Sequence, residues 1–454
     1  MTIDPLTFVG PDIPSAGDLR NCIHCGFCLP TCPTYVATGH ELESPRGRLH
    51  LIDAVRDGRI DATARVLDHL DLCLQCRACE TACPSGVPYG RIMEDARASI
   101  LANAPSDQPP TWRLRALALR QVVAKPRVLR LTLFPARIYS ATGLQSLVRR
   151  FLAPRLPSAF SRLESVAPDL RRRPFRRRGN LARPAGATAR VALLTGCVHG
   201  EFFPQTHVAT IRTLAAVGAA VVAPPTQGCC GALHSHAGDA EAARDLARNN
   251  IATFEQAGVD AVIVNAAGCG AAMKEYGHLL DEDLLWAERA ERFAGTVQDI
   301  TEFVASRIDQ LDRSALGELD ADVTLQDSCH LAHGQGIRDA PRIILDAIPG
   351  VRLEEMATPD RCCGSAGIYS AVQPAMSADI LEAKMTDIEG TGASVICTAN
   401  PGCTMQIQAG VRRRGLDAGV QHVIELLDES LELGRNPIGL GTIPAAPAEH
   451  AEAR

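Results

Sequence analysis

Two stretches of the chain, CIHCGFCLPTCP from Cys22 and CLQCRACETACP from Cys73, carry one cysteine spacing. Each sets three cysteines at steps of three, a fourth cysteine four residues further on, and a proline directly after. No other feature restricts the fold as much. Three thiolates so spaced can wrap three irons of a cubane cluster, and the fourth iron must take its ligand from elsewhere. Neither run is complete alone, so the segment between them is held at both ends.

The spacing C-x2-C-x2-C-x3-C-P is the bacterial ferredoxin pattern, in which the fourth cysteine of each run ligates the other cluster. On that scheme Cys22, Cys25, Cys28 and Cys83 hold one 4Fe–4S cluster, and Cys73, Cys76, Cys79 and Cys32 hold the second. Structural zinc is the rival reading, but it asks for two ligands plus two rather than three plus one twice. Between the runs, Ser44 before Pro45 reads as an N-cap and a first-turn proline. Leu49, Ile52 and Val55 then recur at helical spacing, and Val66, Leu67 and Leu70 suggest a second helix. This part is helical rather than a β-rich small ferredoxin. Arg46 and Arg48 either offset the negative charge of thiolate-ligated clusters or lie on a solvated helix face.

The 17 cysteines are an odd number in a chain with no basic, apolar leader at its start, MTIDPLTFVGPDIPSAGD. No apolar run approaches the roughly 18–20 residues that span a bilayer. A cytoplasmic location is expected, with peripheral contact at the inner face of the plasma membrane as an extension. There thiols serve metals and redox chemistry rather than disulfides. Aromatics at 4% and a net charge of −6 argue against nucleic acid as a partner.

The chain divides into regions by composition. Residues 1–105 hold the paired runs. Residues 106–186 are basic: from Arg113 to Arg183 there are 18 Lys/Arg against two acids, a local charge of +16. Prolines at 126, 135, 154, 157, 168, 174 and 184 are expected to break it into short helices. Leu117, Leu119, Val122, Leu129, Leu131, Leu133 and Phe134 make its first part apolar between the charges, like an interfacial helix. It is read as docking a partner or an anionic membrane surface, or as a solvated linker. Residues 436–454 are a tail.

Residues 187–315 and 316–435 read as a duplication. The strand-like ARVALLTGC ends at Cys197 and ADVTLQDSC at Cys329. Each unit then has a Cys-Cys-Gly, at Cys229-Cys230 and Cys362-Cys363, and a further cysteine, Cys269 and Cys403. The matched intervals are 32 and 33 residues, then 39 and 40. Apolar strands alternate with helical stretches, which predicts a small parallel α/β layer per unit with the cysteines at one sheet edge. The fold class expected is α+β multidomain: an α-helical ferredoxin domain with two 4Fe–4S clusters, then two α/β units. Cys397, inside ASVIC, reads as core. His199, His234, His236, His330 and His333 flank the cysteines; each is a loop histidine, a proton carrier to a nearby quinone, or an iron ligand. No G-x-G-x-x-G follows a strand, so no flavin or nicotinamide site is expected on this chain.

The paired runs, SPRGRL at 44–49, TGC at 195–197, both Cys-Cys-Gly sites and GCGAAMKEYG at 268–277 resemble the iron–sulfur subunits of bacterial glycolate oxidases. That group shares its cysteine-rich CCG domains with heterodisulfide reductase, anaerobic glycerol-3-phosphate dehydrogenase and lactate-utilisation proteins. The resemblance implies an electron-transfer component of an oxidoreductase complex acting on CH–OH donors. Its partners would be FAD-containing 2-hydroxy-acid oxidase subunits and a quinone or membrane acceptor. Neighbouring possibilities are another donor, such as D-lactate or glycerol 3-phosphate, and a thiol–disulfide enzyme. The heterodisulfide reductase pattern ends in C-x-x-C; here Ala272 and Gln406 stand at the last position. Four cysteines remain per unit as sites for one or two further clusters: Cys197, Cys229, Cys230 and Cys269, then Cys329, Cys362, Cys363 and Cys403.

Overall fold

A computed structural model of the chain describes residues 8, 10–102, 110–152, 155, 164 and 167–435. The expected break near 105–106 and the expected tail at 436–454 lie outside these residues.

Among the described residues no strand precedes Gly179, and the N-terminal part is built from helices. Helix Pro45–Arg56 starts at the Ser44 cap, whose Oγ accepts from the Gly47 N–H at 3.0 Å. Such a cap contributes about 1 kcal/mol. One face of this helix buries Leu49, Ile52 and Val55. Helix Ala64–Asp71 adds Val66, Leu67 and Leu70, and helix Tyr89–Ala102 closes the core with Ile92, Met93 and Ala96.

The basic segment differs from expectation at two points. Helix Pro126–Ala141 runs through Pro135 instead of breaking there. The carbonyl that loses its partner is that of Leu131, a residue 74% exposed, so water can satisfy it. The segment also ends in a strand, β1 (Gly179–Ala182), rather than in helix.

β1 is the antiparallel edge of a five-stranded sheet that continues with β2 (Ala189–Leu193), β3 (Ala219–Ala223), β4 (Ala261–Val264) and β5 (Val297–Asp299). The order is β1-β3-β2-β4-β5, with β2 to β5 parallel. A second sheet holds β6 (Ala321–Leu325), β7 (Val351–Leu353), β8 (Val395–Thr398) and β9 (Gly419–His422). It is parallel throughout, in the order β7-β6-β8-β9. β2 and β6, the strands that lead to Cys197 and Cys329, take equivalent central places. The central strands are mostly apolar and buried, with Val191 and Leu193 of β2 and Val323 and Leu325 of β6 in the core, as sheets covered on both faces require.

One core joins the two units. Val191, Leu193 and Ile263 of the first sheet share it with Val323, Leu325 and Val395 of the second. Helices Pro204–Ala216, Ile300–Ala305, Asp339–Asp346 and Val423–Arg435 supply Leu214, Ile300, Ile344 and Leu427 to the same core. The last of these helices reaches back to the first unit, where Arg212 Nη2 donates to Asp428 Oδ2 at 2.7 Å. Cys397 is fully buried in this core, apart from the other cysteines.

Candidate redox centres

The two N-terminal runs have one backbone. His24 and Gln75, at the same place in each run, both take a left-handed conformation (φ 56° and 52°). Two residues later the first run has Gly26 (φ 87°) and the second has Arg77 (φ 63°). A side chain in that region costs roughly 1–2 kcal/mol, so the second loop holds Arg77 there against an adverse local preference. Ion pairs to Glu80 (2.8 Å) and Glu275 (2.7 Å) fix it.

Each run curls around a cavity. Cys22, Cys25, Cys28 and Cys83 line the first, with Cys79 on its inner wall. Cys32, Cys73, Cys76 and Cys79 line the second. Cys79 lines both spaces, and each fourth cysteine, Cys83 and Cys32, lies against the run of the other motif. All 17 cysteines are free. Among the described residues, no three His, Cys, Asp or Glu side chains are placed to hold a single metal ion. The cysteine lining of both cavities has the thiolate donor set that a 4Fe–4S cluster takes.

The cavities differ in burial. Cys32, Cys73, Cys76 and Cys79 are all under 10% exposed, whereas Cys25 is exposed and Cys22, Cys28 and Cys83 are half-buried. Arg48 borders the inner cavity and is itself fully buried. Its guanidinium donates to Glu43 Oε2 (2.6 Å), Thr34 Oγ1 (3.1 Å), and the carbonyls of Glu43 (2.8 Å) and His69 (2.7 Å). Burial works against its charge, but Tyr89, Cys73, Cys32 and Glu43 outweigh that and hold it protonated. Arg48 is therefore no solvated helix-face residue. Arg46 borders the outer cavity, half-exposed, and donates to Glu41 Oε1 (2.6 Å) and the His24 carbonyl (3.1 Å).

The duplicated units bring their four cysteines together in the same way. In the first, Cys197 Sγ donates to Cys229 Sγ at 3.3 Å and Cys230 Sγ to Cys269 Sγ at 3.0 Å. In the second, Cys329 bonds Cys362 and Cys363 bonds Cys403. Each Cys-Cys-Gly glycine is left-handed, Gly231 at φ 85° and Gly364 at φ 84°. A Cβ on Gly364 would stand 2.6 Å from the Ser377 carbonyl oxygen. That turn aims both adjacent thiols at one centre. Hydrogen bonds from flanking thiols pull Cys229 and Cys362 well below the ordinary thiol range. The same chemistry thus recurs in both units.

The histidines separate. His234 is fully buried, and neither ring nitrogen meets a hydrogen-bond partner among the described residues. His199 packs with His207 and Phe203, and burial lowers it to about 4. His333 Nδ1 lies 2.9 Å from Thr81 Oγ1 and so ties the second unit to the N-terminal domain. His236 stacks on His330 with ring centroids 5.2 Å apart.

The centres adjoin. Leu74, Cys76 and Ala78 of the second run form one buried cluster with Cys329, Cys362, Tyr369 and Ile380. Tyr369 Oη donates to the Leu72 carbonyl at 3.0 Å across that junction. Sequence reasoning had no signal for this contact, because the partners lie far apart in the chain.

The basic segment spends much of its charge inside the molecule. Arg115 pairs with Asp71 (3.1 Å), Arg120 Nε with Asp239 (2.7 Å), and Arg130 and Arg137 with Glu201 (3.0 and 2.8 Å). Its apolar residues divide: Leu119 and Leu129 are buried, while Leu117, Leu131, Phe134 and Ile138 are at least half exposed.

Family comparisons agree with these parts. The 4Fe-4S dicluster domain model matches residues 18–87, and the cysteine-rich CCG domain model matches 191–274 and 323–408. The model of the glycolate oxidase iron-sulfur subunit linker region matches 112–167. The probable glycolate oxidase iron-sulfur subunit of Bacillus subtilis is 41% identical over 91% of this chain and 94% of its own. The glycolate oxidase iron-sulfur subunit of Escherichia coli is 33% identical over the same shares. Lactate utilization protein A of an Exiguobacterium is 31% identical over 53% of this chain and 98% of its own. A crystal structure of a hypothetical protein from Helicobacter pylori shares the fold, with a TM-score of 0.54 at 9% identity, covering 92% of this chain and 73% of that one. With its paired cluster loops, twin cysteine units and intervening linker, the chain belongs to the family of glycolate oxidase iron–sulfur subunits.

Proposed function

We propose that this chain carries electrons within a flavin-dependent 2-hydroxy-acid oxidase complex, from FAD on a partner subunit towards quinone, with glycolate as the donor. The observation that carries this reading is the adjoining of centres: two cysteine-lined cavities share Cys79, and the inner one abuts Cys329 and Cys362. The outer set is Cys22, Cys25, Cys28 and Cys83; the inner set is Cys73, Cys76, Cys79 and Cys32. When bound, the clusters supply one-electron carriage, which divides the two-electron chemistry of a flavin. The four cysteines of each duplicated unit are sites for further clusters, and the buried, unpartnered His234 beside the first set fits a polar group being held there.

The chain's own residues set direction. Ile23 and Phe27, 67% and 64% exposed, stand beside the outer cavity and offer an apolar face to the flavin-bearing partner. Arg48 holds positive charge against the inner set. Among the described residues no helix is long and apolar enough to cross a membrane. The uncovered face of helix Pro126–Ala141, with Leu131, Phe134 and Ile138, suits peripheral contact with a cytoplasmic membrane surface or with a partner. The functional division follows residues 1–105, 106–186, 187–315 and 316–435.

The match to lactate utilization protein A favours lactate as the second reading. The test is to add glycolate, D-lactate or glycerol 3-phosphate to the anaerobically purified complex and follow the EPR signal of reduced clusters. A signal that rises fastest with glycolate supports the proposal. A faster rise with D-lactate keeps the wire and changes the donor. Silence with all three in a brown, iron-replete complex rejects the reading.

A further inference from the structure

Between the N-terminal domain and the first cysteine unit lies an open cleft. Cys230, Gly231, Gly268, Ala271 and Ala272 line one side. Ala272 holds the position at which the heterodisulfide reductase pattern places its fifth cysteine, so only a methyl group stands there beside the Cys230 centre. Seven carboxylates line the cleft against two arginines, Arg77 and Arg244. Both arginines are engaged, Arg77 with Glu80 and Glu275 and Arg244 with Asp12. A surface of that sign repels anionic acceptors.

Titratable groups from both sides line the same cleft. Glu94 Oε1 lies 2.8 Å from His236 Nδ1, and the His236 ring stacks on His330 at 13° between planes. Asp95 follows, with His278 Nε2 3.9 Å from its Oδ1. Burial, with Asp12, Glu94 and Asp281 nearby, pushes the Asp95 carboxyl up to about 7 against the pull of Arg244. Burial also opposes the charge of Glu94, but His236, Arg77 and Arg97 hold that carboxyl below its ordinary range. A carboxyl that holds its proton towards neutral pH and a hydrogen-bonded carboxylate–histidine pair therefore face the same space. A pure electron relay has no use for them; an acceptor that takes protons with its electrons does.

We infer that this cleft is the acceptor site, binding a neutral quinone headgroup beside Cys230 with Asp95 and the Glu94–His236 pair as its proton donors. The inference rests on the electron-carrying reading above. Two electrons and two protons convert the two quinone carbonyls to hydroxyls. The electrons come from the 2-hydroxy acid, oxidised to the 2-oxo acid on the partner subunit with release of two protons there. Asp95 supplies one proton from its neutral carboxyl; the second passes from water in the open cleft through the His236 imidazole, whose Nδ1 lies against Glu94, and water then reprotonates Asp95.

The holo complex is assayed with a soluble short-chain quinone and with ferricyanide, which takes one electron and no proton. In Asp95→Asn and Glu94→Gln, quinone reduction falls roughly ten-fold or more while ferricyanide reduction and the glycolate-induced EPR signal hold. In Ala272→Leu, equilibrium dialysis of the oxidised complex shows lost quinone binding at unchanged iron content. Quinone and ferricyanide rates that fall together, or undiminished quinone binding in Ala272→Leu, overturn the inference. So does reduction of a small disulfide in place of quinone. Absence of any donor-induced EPR signal removes the electron-carrying reading instead, and the dialysis comparison still decides whether the cleft binds quinone.

Discussion

The two cysteine cavities of the N-terminal domain share a sequence motif and a loop backbone, yet they occupy different media. The outer one opens between exposed Cys25 and half-buried Cys22, Cys28 and Cys83. The inner one is closed by four buried cysteines and by Arg48, which has no solvent contact. Identical ligand spacing therefore does not imply identical redox behaviour. A buried, thiolate-ligated centre resists gaining further negative charge, and a fixed guanidinium beside it opposes that resistance. Arg48 and Arg46 are two residues apart in sequence, but one lies inside the protein and the other at its edge.

Substitutions can break or sharpen this contrast. The largest effect is expected from Cys32→Ala. It should remove the inner cluster, leave the outer one, and cost several kcal/mol of stability because metal binding and folding are coupled. Iron content and site-resolved EPR check this; loss of the outer signal instead rejects the crossed assignment. Arg48→Met comes next. It leaves Glu43 buried without its partner, at a cost of about 3–5 kcal/mol in thermal or denaturant unfolding. It should also lower the inner centre's potential by on the order of 100 mV, since a unit charge nearby is worth a few kcal/mol at an effective dielectric of about 20. Arg46→Met breaks a pair whose side chains are 29% and 49% exposed, and should cost under about 1 kcal/mol with a much smaller potential shift. Equal shifts in redox titrations of the two variants would abolish the distinction between the cavities. Phe27→Asp is expected to change stability least, within about 0.5 kcal/mol, while weakening association with the flavin-bearing partner in a pull-down of the purified complex.

Much of the architecture was legible because it is written locally. Ser44-Pro45 starts a helix through one side chain and one ring, and no distant contact is needed to read it. The duplicated strands and Cys-Cys-Gly turns could be aligned because both units solve one geometric problem with the same residues. Position in the fold was less legible. β1 comes from an arginine-rich stretch with no apolar alternation, and it is a strand because the edge of β3 offers it hydrogen-bond partners. The charge of the basic segment looked free in sequence, but Asp71, Asp239 and Glu201 meet Arg115, Arg120, Arg130 and Arg137 from far along the chain. The junction of Cys76 with Cys329 and Cys362 had no local signature for the same reason.

The helix Val423–Arg435 covers the helix Pro204–Ala216 of the unit made long before it. On a ribosome, the face of the earlier helix that this last helix covers therefore waits without its partner until nearly all of the second unit has emerged. A chain stalled or clipped before Val423 would keep that apolar surface open, a mark by which chaperones and proteases distinguish unfinished copies. The shared core is therefore complete only when the second unit is.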